Sequence, residues 1–381
     1  MMNTDLPIRQ AQGKKVALVH DELIRRGGAE QVLEELIRMY PNADIYSLYA
    51  GNKPSLTVDG KKYKIHTSSL QKWPAWFRKH PGRMLPFLQQ AVEEFDLSQY
   101  DIVISSVSGF AKGVITRSNV PHLCYCHTPT RYLWDASHTV SNKRRFSKYI
   151  LNFLFHYLRM IDFASAQRPD AYIANSNYTK HKIQTYYKRD SVVVYPPIDT
   201  QFFTPSSKLL KKEYFLCVGR LTSEKKFDHA IAVAEKLQMR LIIAGTGNDY
   251  RRLRRMAGKY TEFTGRVDKE TLRALYRNAR ALIQPGVEDF GMTAVEALAC
   301  GTPVIAYGEG GVAEIVRDGA HGILYKEQLP ETLAEAIRQF LRLEHKFLAG
   351  NLQTQALLFS VDKFRKGIQK QVENCMQLRN T

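Results

Sequence analysis

Short apolar runs alternate with amphipathic segments along nearly the whole chain, and this alternation restricts the fold more than any other feature. It is typical of strand and helix units that build parallel sheets. In the first half it predicts strands at 15–20, 43–49, 101–106, 122–126, 171–175 and 191–195, and helices at 29–40, 84–95, 145–165 and 176–187. Strands resume at 213–220, 240–245, 260–265, 281–286 and 302–307. The sequence therefore predicts an α/β protein with two Rossmann-like, doubly wound parallel sheets.

A chain of 381 residues is longer than one hydrophobic core usually serves, which favours two domains. The stretch 195–208, with its prolines and serines, continues neither sheet and predicts a linker. We therefore predict an N-terminal domain at 1–197 and a C-terminal domain at 198–360. A long final helix, 361–377, is expected to return to the N-terminal domain. Because such sheets bind ligands at the carboxyl ends of their strands, we expect the two sheets to face a central cleft.

The composition points to an acidic partner. Lysine and arginine number 55 against 37 aspartates and glutamates, a formal net charge of +18, which suits nucleic acid, anionic lipid or a phosphorylated substrate. The five cysteines are scattered without a CxxC pair, as is typical of a reducing cytoplasm. The polar N-terminus lacks the apolar stretch of a signal peptide, and no run of about 18 apolar residues occurs. We expect no membrane-spanning helix, while contact with a membrane surface remains open.

Two loops of the first half carry groups suited to an anionic ligand. Gly27 and Gly28 precede a predicted helix, where backbone N–H groups can approach a phosphate. Paired glycines are also common in tight turns and helix entries. His127 directly follows a predicted strand, where it can contact a ligand or simply bond to the backbone. Arg131, Tyr132, Trp134 and Asp135 follow, and suit either recognition or packing.

Loops of the second half place cations and carboxylates after predicted strands. Arg220 and Lys225 precede or open a helix, where cations are disfavoured by the helix dipole unless an anion is bound. Glu288 follows the strand at 281–286, and Glu296 lies in the next helix. Carboxylates accept hydrogen bonds from the vicinal hydroxyls of sugars and ribose. Alternatively, Glu288 is a solvated loop residue and Glu296 a partner of the helix dipole, yet a hydrophobic core has no use for either charge.

Taken in order, these segments resemble the retaining glycosyltransferases of family 4, which have the two-domain GT-B architecture. The resemblance runs through VHDELIRRGGAE, CYCHTPTRYLWD, VGRLTSEKK, FTGRV and EDFGMTAVEALACGTPVIA, and covers nearly the whole chain. The segments at 104–117 and 125–135 are similar to an O-antigen mannosyltransferase subgroup. That likeness implies GDP-mannose as the donor, with a UDP-sugar of glucose, galactose or glucuronate as the nearest alternative.

The resemblance implies a role for each motif residue. Catalytic roles fall on His127, beside the donor sugar, on Glu288, at the sugar hydroxyls, and on Arg220 and Lys225, at the diphosphate. Donor-binding roles fall on residues of three loops and one helix: Gly27, Gly28, Arg266, Val267, Phe290, Gly291, Met292, Thr293 and Glu296. Of these, Arg266 and Val267 lie near the nucleobase, and Glu296 holds the ribose. The acceptor is expected near Asp21, Arg131, Tyr132 and Trp134.

The same resemblance implies a hexosyl transfer that retains configuration and needs no cofactor. The chain contains no DxD triplet, so we expect the cations and the helix start at Thr293, rather than a metal ion, to neutralise the departing diphosphate. We expect a lipid-linked or polysaccharide acceptor, such as a glycan on polyprenyl diphosphate, in the synthesis of bacterial surface polysaccharide.

The basic and aromatic segments at 71–87 and 142–160 predict contact with an anionic membrane, hence a cytoplasmic protein peripheral to the inner face of the plasma membrane. The alternative for 145–165 is a core helix with a solvated basic face, which is also the interpretation favoured for 251–259. Two other classes are a nucleic-acid-binding protein and a non-catalytic sugar-nucleotide binder. The first is disfavoured because no zinc spacing or RNA-recognition signature occurs, and the second because the full set of polar motif residues is present.

Overall fold

The computed structural model describes residues 13–24, 27–51, 54–78, 84–135, 145–206 and 213–379, and of 75, 78 and 145–150 the backbone alone. The chain forms two compact units, one of Met1–Tyr195 with Phe364–Thr381 and one of Pro196–Lys363. Each unit is built on its own sheet.

The N-terminal unit has an eight-stranded sheet in the order β3-β4-β2-β1-β5-β6-β7-β8. All neighbours are parallel except β3 and β4, which form an antiparallel edge hairpin. Its strands are β1 (Val16–Leu23), β2 (Asp44–Ala50), β3 (Ser55–Val58), β4 (Lys61–Thr67), β5 (Ile102–Val107), β6 (His122–Cys126), β7 (Ala171–Ala174) and β8 (Val192–Val193). Its helices are α1 (Gly28–Met39), α2 (Ala75–Arg78), α3 (Leu88–Glu93), α4 (Arg131–Trp134), α5 (Arg145–Ser165) and α6 (Asn177–Tyr187).

The C-terminal unit has a six-stranded, fully parallel sheet in the order β11-β10-β9-β12-β13-β14. Its strands are β9 (Tyr214–Val218), β10 (Leu241–Ala244), β11 (Thr261–Gly265), β12 (Ala279–Gln284), β13 (Val304–Tyr307) and β14 (Gly322–Tyr325). Its helices are α7 (Phe227–Leu237), α8 (Tyr250–Met256), α9 (Lys269–Asn278), α10 (Met292–Ala299), α11 (Val312–Ile315), α12 (Pro330–Leu343) and α13 (Ala349–Ala356). The strand order reverses between β9 and β12, which creates a topological switch point there.

The final helix, α14 (Val361–Gln377), packs on the N-terminal sheet. Its residues Phe364, Ile368, Val372 and Cys375 recur at helical spacing and are buried in one core with residues of β1 and α1. Burying each of the larger side chains contributes about 1.5–3 kcal/mol. The predicted return of this helix to the N-terminal domain is confirmed.

The apolar pattern located the strands well but missed three. The β3–β4 hairpin has too many lysines to read as a buried strand, and β14 has only four residues. The helix predicted at 84–95 is α3, preceded by a short 3-10 turn containing Pro86. The predicted linker at 195–208 is described as far as 206 and packs on α9, since Arg277 donates to the Thr204 carbonyl oxygen at 2.7 Å.

Candidate functional site

The loops after β9 and β12 carry a lysine and a glutamate that form an ion pair. These two strands are neighbours at the switch point, where open α/β sheets bind ligands. Lys225 ends a 3-10 turn, Ser223–Lys225, and Glu288 follows β12. The Lys225 Nζ contacts the Glu288 Oε1, and the side chains are 18% and 17% exposed. The structure therefore joins these two predicted residues at the expected edge of the sheet.

Three glycines allow the loops at this edge to pack backbone against backbone. A Cβ added at Gly245 would lie 1.9 Å from a backbone oxygen of the loop after β9, and one at Gly247 would lie 2.2 Å from another. A Cβ at Gly286, just after β12, would lie 2.4 Å from a backbone oxygen in the turn that ends at Lys225. Side chains at these positions would push the loops apart, so the glycines set the position of Lys225 relative to Glu288.

The loop after β13 and the start of α10 hold the backbone around Glu288. The Gly311 N–H donates to the Glu288 carbonyl oxygen at 2.7 Å, and a Cβ at Gly310 would lie 2.3 Å from that same oxygen. Gly291 opens α10 with φ of +103°, a conformation that side chains disfavour. The Ala294 N–H donates to the Gly291 carbonyl oxygen at 2.9 Å. The N–H groups of Met292 and Thr293 precede it, at a helix start where backbone donors lack intrahelical acceptors and suit an anion.

The remaining predicted donor residues differ in what they can offer. Phe290 is buried and packs edge-on against Phe359, so only its backbone can meet a ligand. Arg220 is exposed just after β9. Arg266 is exposed and Val267 half-buried after β11, the edge strand two positions from β9. Two strand spacings amount to about 10 Å, which a nucleotide can span.

Glu296 lies inside the fold. It is 5% exposed on α10, and its Oε2 accepts a hydrogen bond from the Tyr276 hydroxyl of α9 at 2.8 Å. Burial raises the pKa of Glu296 to about 7, although the Tyr276 hydrogen bond and Lys269 oppose the rise. The expectation that a core would have no use for this carboxylate is wrong, because a tyrosine from the neighbouring helix stabilises it there. Its role at a ribose stays a prediction.

In the N-terminal unit, His127 is held at the end of β6 by its neighbours in the sheet. Its Nε2 and the Ser106 Oγ at the end of β5 are 2.8 Å apart. Its carbonyl oxygen accepts from the Asn175 side-chain amide at 2.9 Å and from the Thr179 hydroxyl at 3.4 Å. The ring is therefore oriented, and the expected contact of His127 with a donor sugar stays a prediction.

The glycine pair forms the entry to α1. Gly27 precedes the helix, Gly28 is its first residue, and the Gly27 N–H donates to the Glu30 Oε2 at 2.7 Å. The other oxygen of Glu30 lies 3.8 Å from the Nε2 of His20. His20 is the last residue of β1 that pairs with both β2 and β5. Burial opposes protonation of His20, but Glu30 and Asp21 raise its pKa above the ordinary value. The helix-entry alternative thus describes the local geometry, and an anion-binding role stays a prediction.

Among the predicted acceptor residues, Asp21 and Trp134 hold neighbouring segments of the N-terminal unit in place. Asp21 accepts the backbone N–H groups of Ser108 at 2.6 Å and Ala111 at 2.8 Å, which fixes the loop after β5. The Trp134 indole N–H donates to Asp162 at 2.8 Å, and its ring stacks on Tyr186. Arg131 is half-buried at the start of α4. Tyr132 is exposed over 36% of its surface.

Asp162 is the centre of a buried network that anchors α4 and α5. It pairs with Lys112, and both side chains are at most 1% exposed. It also accepts hydrogen bonds from the Thr130 hydroxyl at 2.8 Å and the Tyr187 hydroxyl at 2.9 Å. A buried ion pair with every oxygen satisfied orients the elements that it joins.

The described residues show neither a metal-binding cluster nor a membrane-spanning helix. They contain no group of three or more His, Cys, Asp or Glu side chains placed to hold a metal ion. None of their helices is long and apolar enough to cross a membrane.

Two family profiles match successive parts of the chain. The profile of Glycosyltransferase Family 4 matches residues 26–202, and that of Glycosyl transferases group 1 matches residues 198–355. The two matches follow the two sheets. Along residues 26–355 the chain is therefore similar, in two successive stretches, to the glycosyltransferases of family 4 and of group 1.

Curated proteins similar to this chain match it over part of their length. An uncharacterized glycosyltransferase of Methanocaldococcus jannaschii is 28% identical over 54% of this chain and 59% of its own. A D-inositol 3-phosphate glycosyltransferase of Geodermatophilus obscurus is 30% identical over 48% of this chain and 47% of its own. A GDP-mannose-dependent alpha-(1-6)-phosphatidylinositol dimannoside mannosyltransferase of Mycobacterium tuberculosis is 28% identical over 47% and 52%. The chain thus spans roughly half the length of these relatives.

Solved structures show the same GT-B fold. Sucrose-phosphate synthase of Thermosynechococcus elongatus aligns with a TM-score of 0.73 at 17% identity, over 96% of this chain and 100% of that one. Anabaena HepE, in complex with UDP and glucose, aligns with a TM-score of 0.70 at 18% identity, over 94% and 99%. At such identities the likeness concerns the fold.

Sequence reasoning missed residues that act through the site's backbone or its supporting contacts. Ser106 ends a predicted strand, so its position was a usable signal. Gly245, Gly247 and Gly286 also lie just after strands, and glycines there indicate close approach of loops.

Proposed function

We propose that this glycosyltransferase is a retaining hexosyltransferase that moves mannose from GDP-mannose to a lipid-linked or polysaccharide acceptor in the synthesis of bacterial surface glycan. The observation that carries the proposal is the Lys225–Glu288 pair at the switch point of the C-terminal sheet. A cation there can meet a diphosphate, and a carboxylate beside it can accept hydrogen bonds from sugar hydroxyls.

In this mechanism the bond between the anomeric carbon and the diphosphate breaks as the acceptor hydroxyl attacks from the same face, and an oxygen of the departing diphosphate takes the hydroxyl proton. Arg220, Lys225 and the N–H groups at the start of α10 stabilise the departing diphosphate, an effect of about 3–4 kcal/mol for each well-placed donor. These groups, rather than a metal ion, supply the neutralisation. His127 borders the donor sugar in this proposal, with Ser106 holding its ring. No protein nucleophile is assigned.

The donor is tested by thermal unfolding with GDP, UDP, GDP-mannose and UDP-glucose. We expect the largest stabilisation by GDP-mannose, since preferential stabilisation reports differential affinity. The mannosyltransferase among the relatives supports GDP-mannose, and the UDP and glucose bound to HepE support a UDP-sugar as the alternative. A larger shift with UDP-glucose selects that alternative. Binding of either donor without release of its nucleotide supports a non-catalytic sugar-nucleotide binder instead. A rise in the unfolding temperature with nucleic acid alone supports a nucleic-acid-binding protein.

We also propose that the enzyme lies at the inner face of the plasma membrane, where a glycan on polyprenyl diphosphate is accessible. The inner side of α5 is anchored through Leu158, Asp162 and Ser165, which are buried. Its outer side presents Phe153, 74% exposed, with Tyr157, Met160 and Phe163 also exposed. This apolar stripe adjoins Lys143, Arg144, Arg145 and Lys148 in the sequence, a combination suited to anionic lipid.

Because the described side chains on the exposed side of α5 are mainly apolar, they favour the membrane prediction over a solvated basic face. The predicted segments 71–87 and 142–160 lie partly outside the described residues, at 79–83 and 142–144. Flotation with vesicles of phosphatidylglycerol and phosphatidylcholine tests the proposal. We expect Phe153→Ser with Tyr157→Ser to reduce binding at least about fivefold, whereas Leu341→Ser, an exposed leucine on α12, retains it. Equal binding to vesicles with and without the anionic lipid contradicts the proposal.

A further inference from the structure

Strand β1 extends past its neighbour β5 at the carboxyl edge of the N-terminal sheet. We call its last residues, 21–23, the ledge. Pairing of β1 with β5 stops at His20 and Ser106. Pairing with β2 continues to Glu22 with Tyr49 and Leu23 with Ala50. The residues after His20 therefore lie beyond the end of the β5 ladder, at the carboxyl edge where such sheets bind ligands.

Glu22 on this ledge is held by a tyrosine of the neighbouring strand β2. The buried Tyr49 hydroxyl donates to its Oε2. Burial and the Glu22 carboxylate raise the pKa of Tyr49 well above its usual range, so this hydroxyl stays a donor. Among the described residues, no donor reaches the Oε1 of Glu22, which is half-buried. Within the described part of the chain, one carboxylate oxygen is thus fixed and the other has no hydrogen-bond donor.

The neighbouring groups distinguish Glu22 from Asp21. Each oxygen of Asp21 already accepts a backbone N–H from the loop after β5. Burial raises the pKa of Tyr132 on α4, and the charges of Asp162, Asp21 and Glu22 add to the rise. Tyr132 is exposed over 36% of its surface, so it is accessible to a ligand.

We propose that Glu22, held by Tyr49 and flanked by Tyr132, forms an acceptor subsite that binds hydroxyl groups of an uncharged sugar. The inference rests on the proposed glycosyl transfer and adds the chemical class of the acceptor group. An ionised carboxylate accepts from two vicinal hydroxyls, and an aromatic ring packs against the apolar face of a pyranose. The carboxylate repels a phosphate at the same place. Asp21, predicted as an acceptor contact, supports the loop beside this subsite.

The test compares transfer with hydrolysis for the full chain and GDP-mannose or UDP-glucose as donor. The acceptor probes are the methyl glycosides of mannose, glucose and galactose, and mannose 6-phosphate and glucose 6-phosphate as charged counterparts. Release of nucleotide gives total turnover, and mass spectrometry gives the disaccharide product. We expect a neutral glycoside to be the better acceptor. We expect Glu22→Ala to reduce the ratio of transfer to hydrolysis at least about tenfold, the loss typical of a hydrogen bond to a charged group.

Two further variants separate a binding role from a structural one. Tyr49→Phe leaves the carboxylate but removes its anchor, so we expect the KM for the glycoside to rise more than kcat falls. Glu373→Gln removes a carboxylate from α14, away from the sheet's mouth, and serves as the matched control with an unchanged ratio. The inference is overturned if Glu22→Ala releases nucleotide with the wild-type ratio of transfer to hydrolysis. It is also overturned if the wild-type chain transfers only to the sugar phosphates. Both outcomes leave the proposed function intact. A wild-type chain that binds neither donor contradicts both.

Discussion

We predict that substitutions of Lys225 and Glu288 change the affinity for a nucleoside diphosphate in opposite directions. The carboxylate neutralises the lysine when no ligand is bound, so a nucleoside diphosphate must compete with Glu288 for the same ammonium group. We expect Lys225→Ala to weaken the binding of GDP or UDP, whichever is preferred, and Glu288→Gln to tighten it. Turnover with the intact donor sugar is expected to fall in both variants.

The magnitudes follow from the position of the pair. At 18% and 17% exposure, the side chains lie between surface and interior. Two unit charges 4 Å apart attract by about 4 kcal/mol at an effective dielectric constant of about 20, and desolvation offsets most of this. Releasing Lys225 from competition is therefore worth about 1 kcal/mol, or roughly fivefold in affinity. Loss of a hydrogen bond from lysine to phosphate costs about 1.5–3 kcal/mol, or roughly ten- to a hundredfold.

Isothermal titration calorimetry with GDP and UDP measures these changes, and thermal unfolding confirms that each variant is folded. Lys236→Ala removes an exposed lysine of α7 and is the matched control, with unchanged affinity expected. In the double variant the effect of Glu288→Gln should vanish, because no lysine is left to release. The reasoning is refuted if Glu288→Gln weakens nucleotide binding as much as Lys225→Ala, since the glutamate would then support the nucleotide rather than compete with it.

Three other changes test the supporting structure. Asp162→Asn leaves the Lys112 charge buried without a partner and should lower the free energy of unfolding in urea by about 3–5 kcal/mol, and a loss under about 1 kcal/mol contradicts the network's role. Gly245→Ala places a Cβ 1.9 Å from a backbone oxygen and should abolish nucleotide binding or folding. Gly350→Ala, with open space around it, should be neutral or stabilising by up to about 1 kcal/mol. Equal melting temperatures for the two variants would count against close loop packing. Glu296 has a folded pKa of about 7, above its ordinary value of 4.5, so its contribution to stability is full below about pH 4.5 and is lost as pH rises to 7, a change on the order of 3 kcal/mol. Glu296→Gln should remove this part of the pH dependence of unfolding, and an unaltered profile would show that the carboxylate is not the titrating group.

The strands and the loops that follow them could be predicted because their signal is local. An apolar run such as 101–106 is a buried strand in any parallel sheet, and polar residues after it lie at the carboxyl edge. The same locality explains the correct extent of α5 and α14, whose apolar spacing repeats over many turns. It also explains the misses, since the lysine-rich β4 has no continuous apolar run.

Partners of individual side chains depend on segments distant in sequence, and the pattern carries no information about them. Glu296 meets Tyr276 because α9 and α10 pack together, and Ser106 meets His127 because β5 and β6 are neighbours. Asp21 and Glu22 are adjacent and chemically alike, yet the register of β1 against β2 and the loop after β5 gives them different partners. Motif residues could thus be located from the order of amino acids, whereas their burial, charge state and available oxygens arise from how the sheets and helices pack, because these depend on contacts between distant segments.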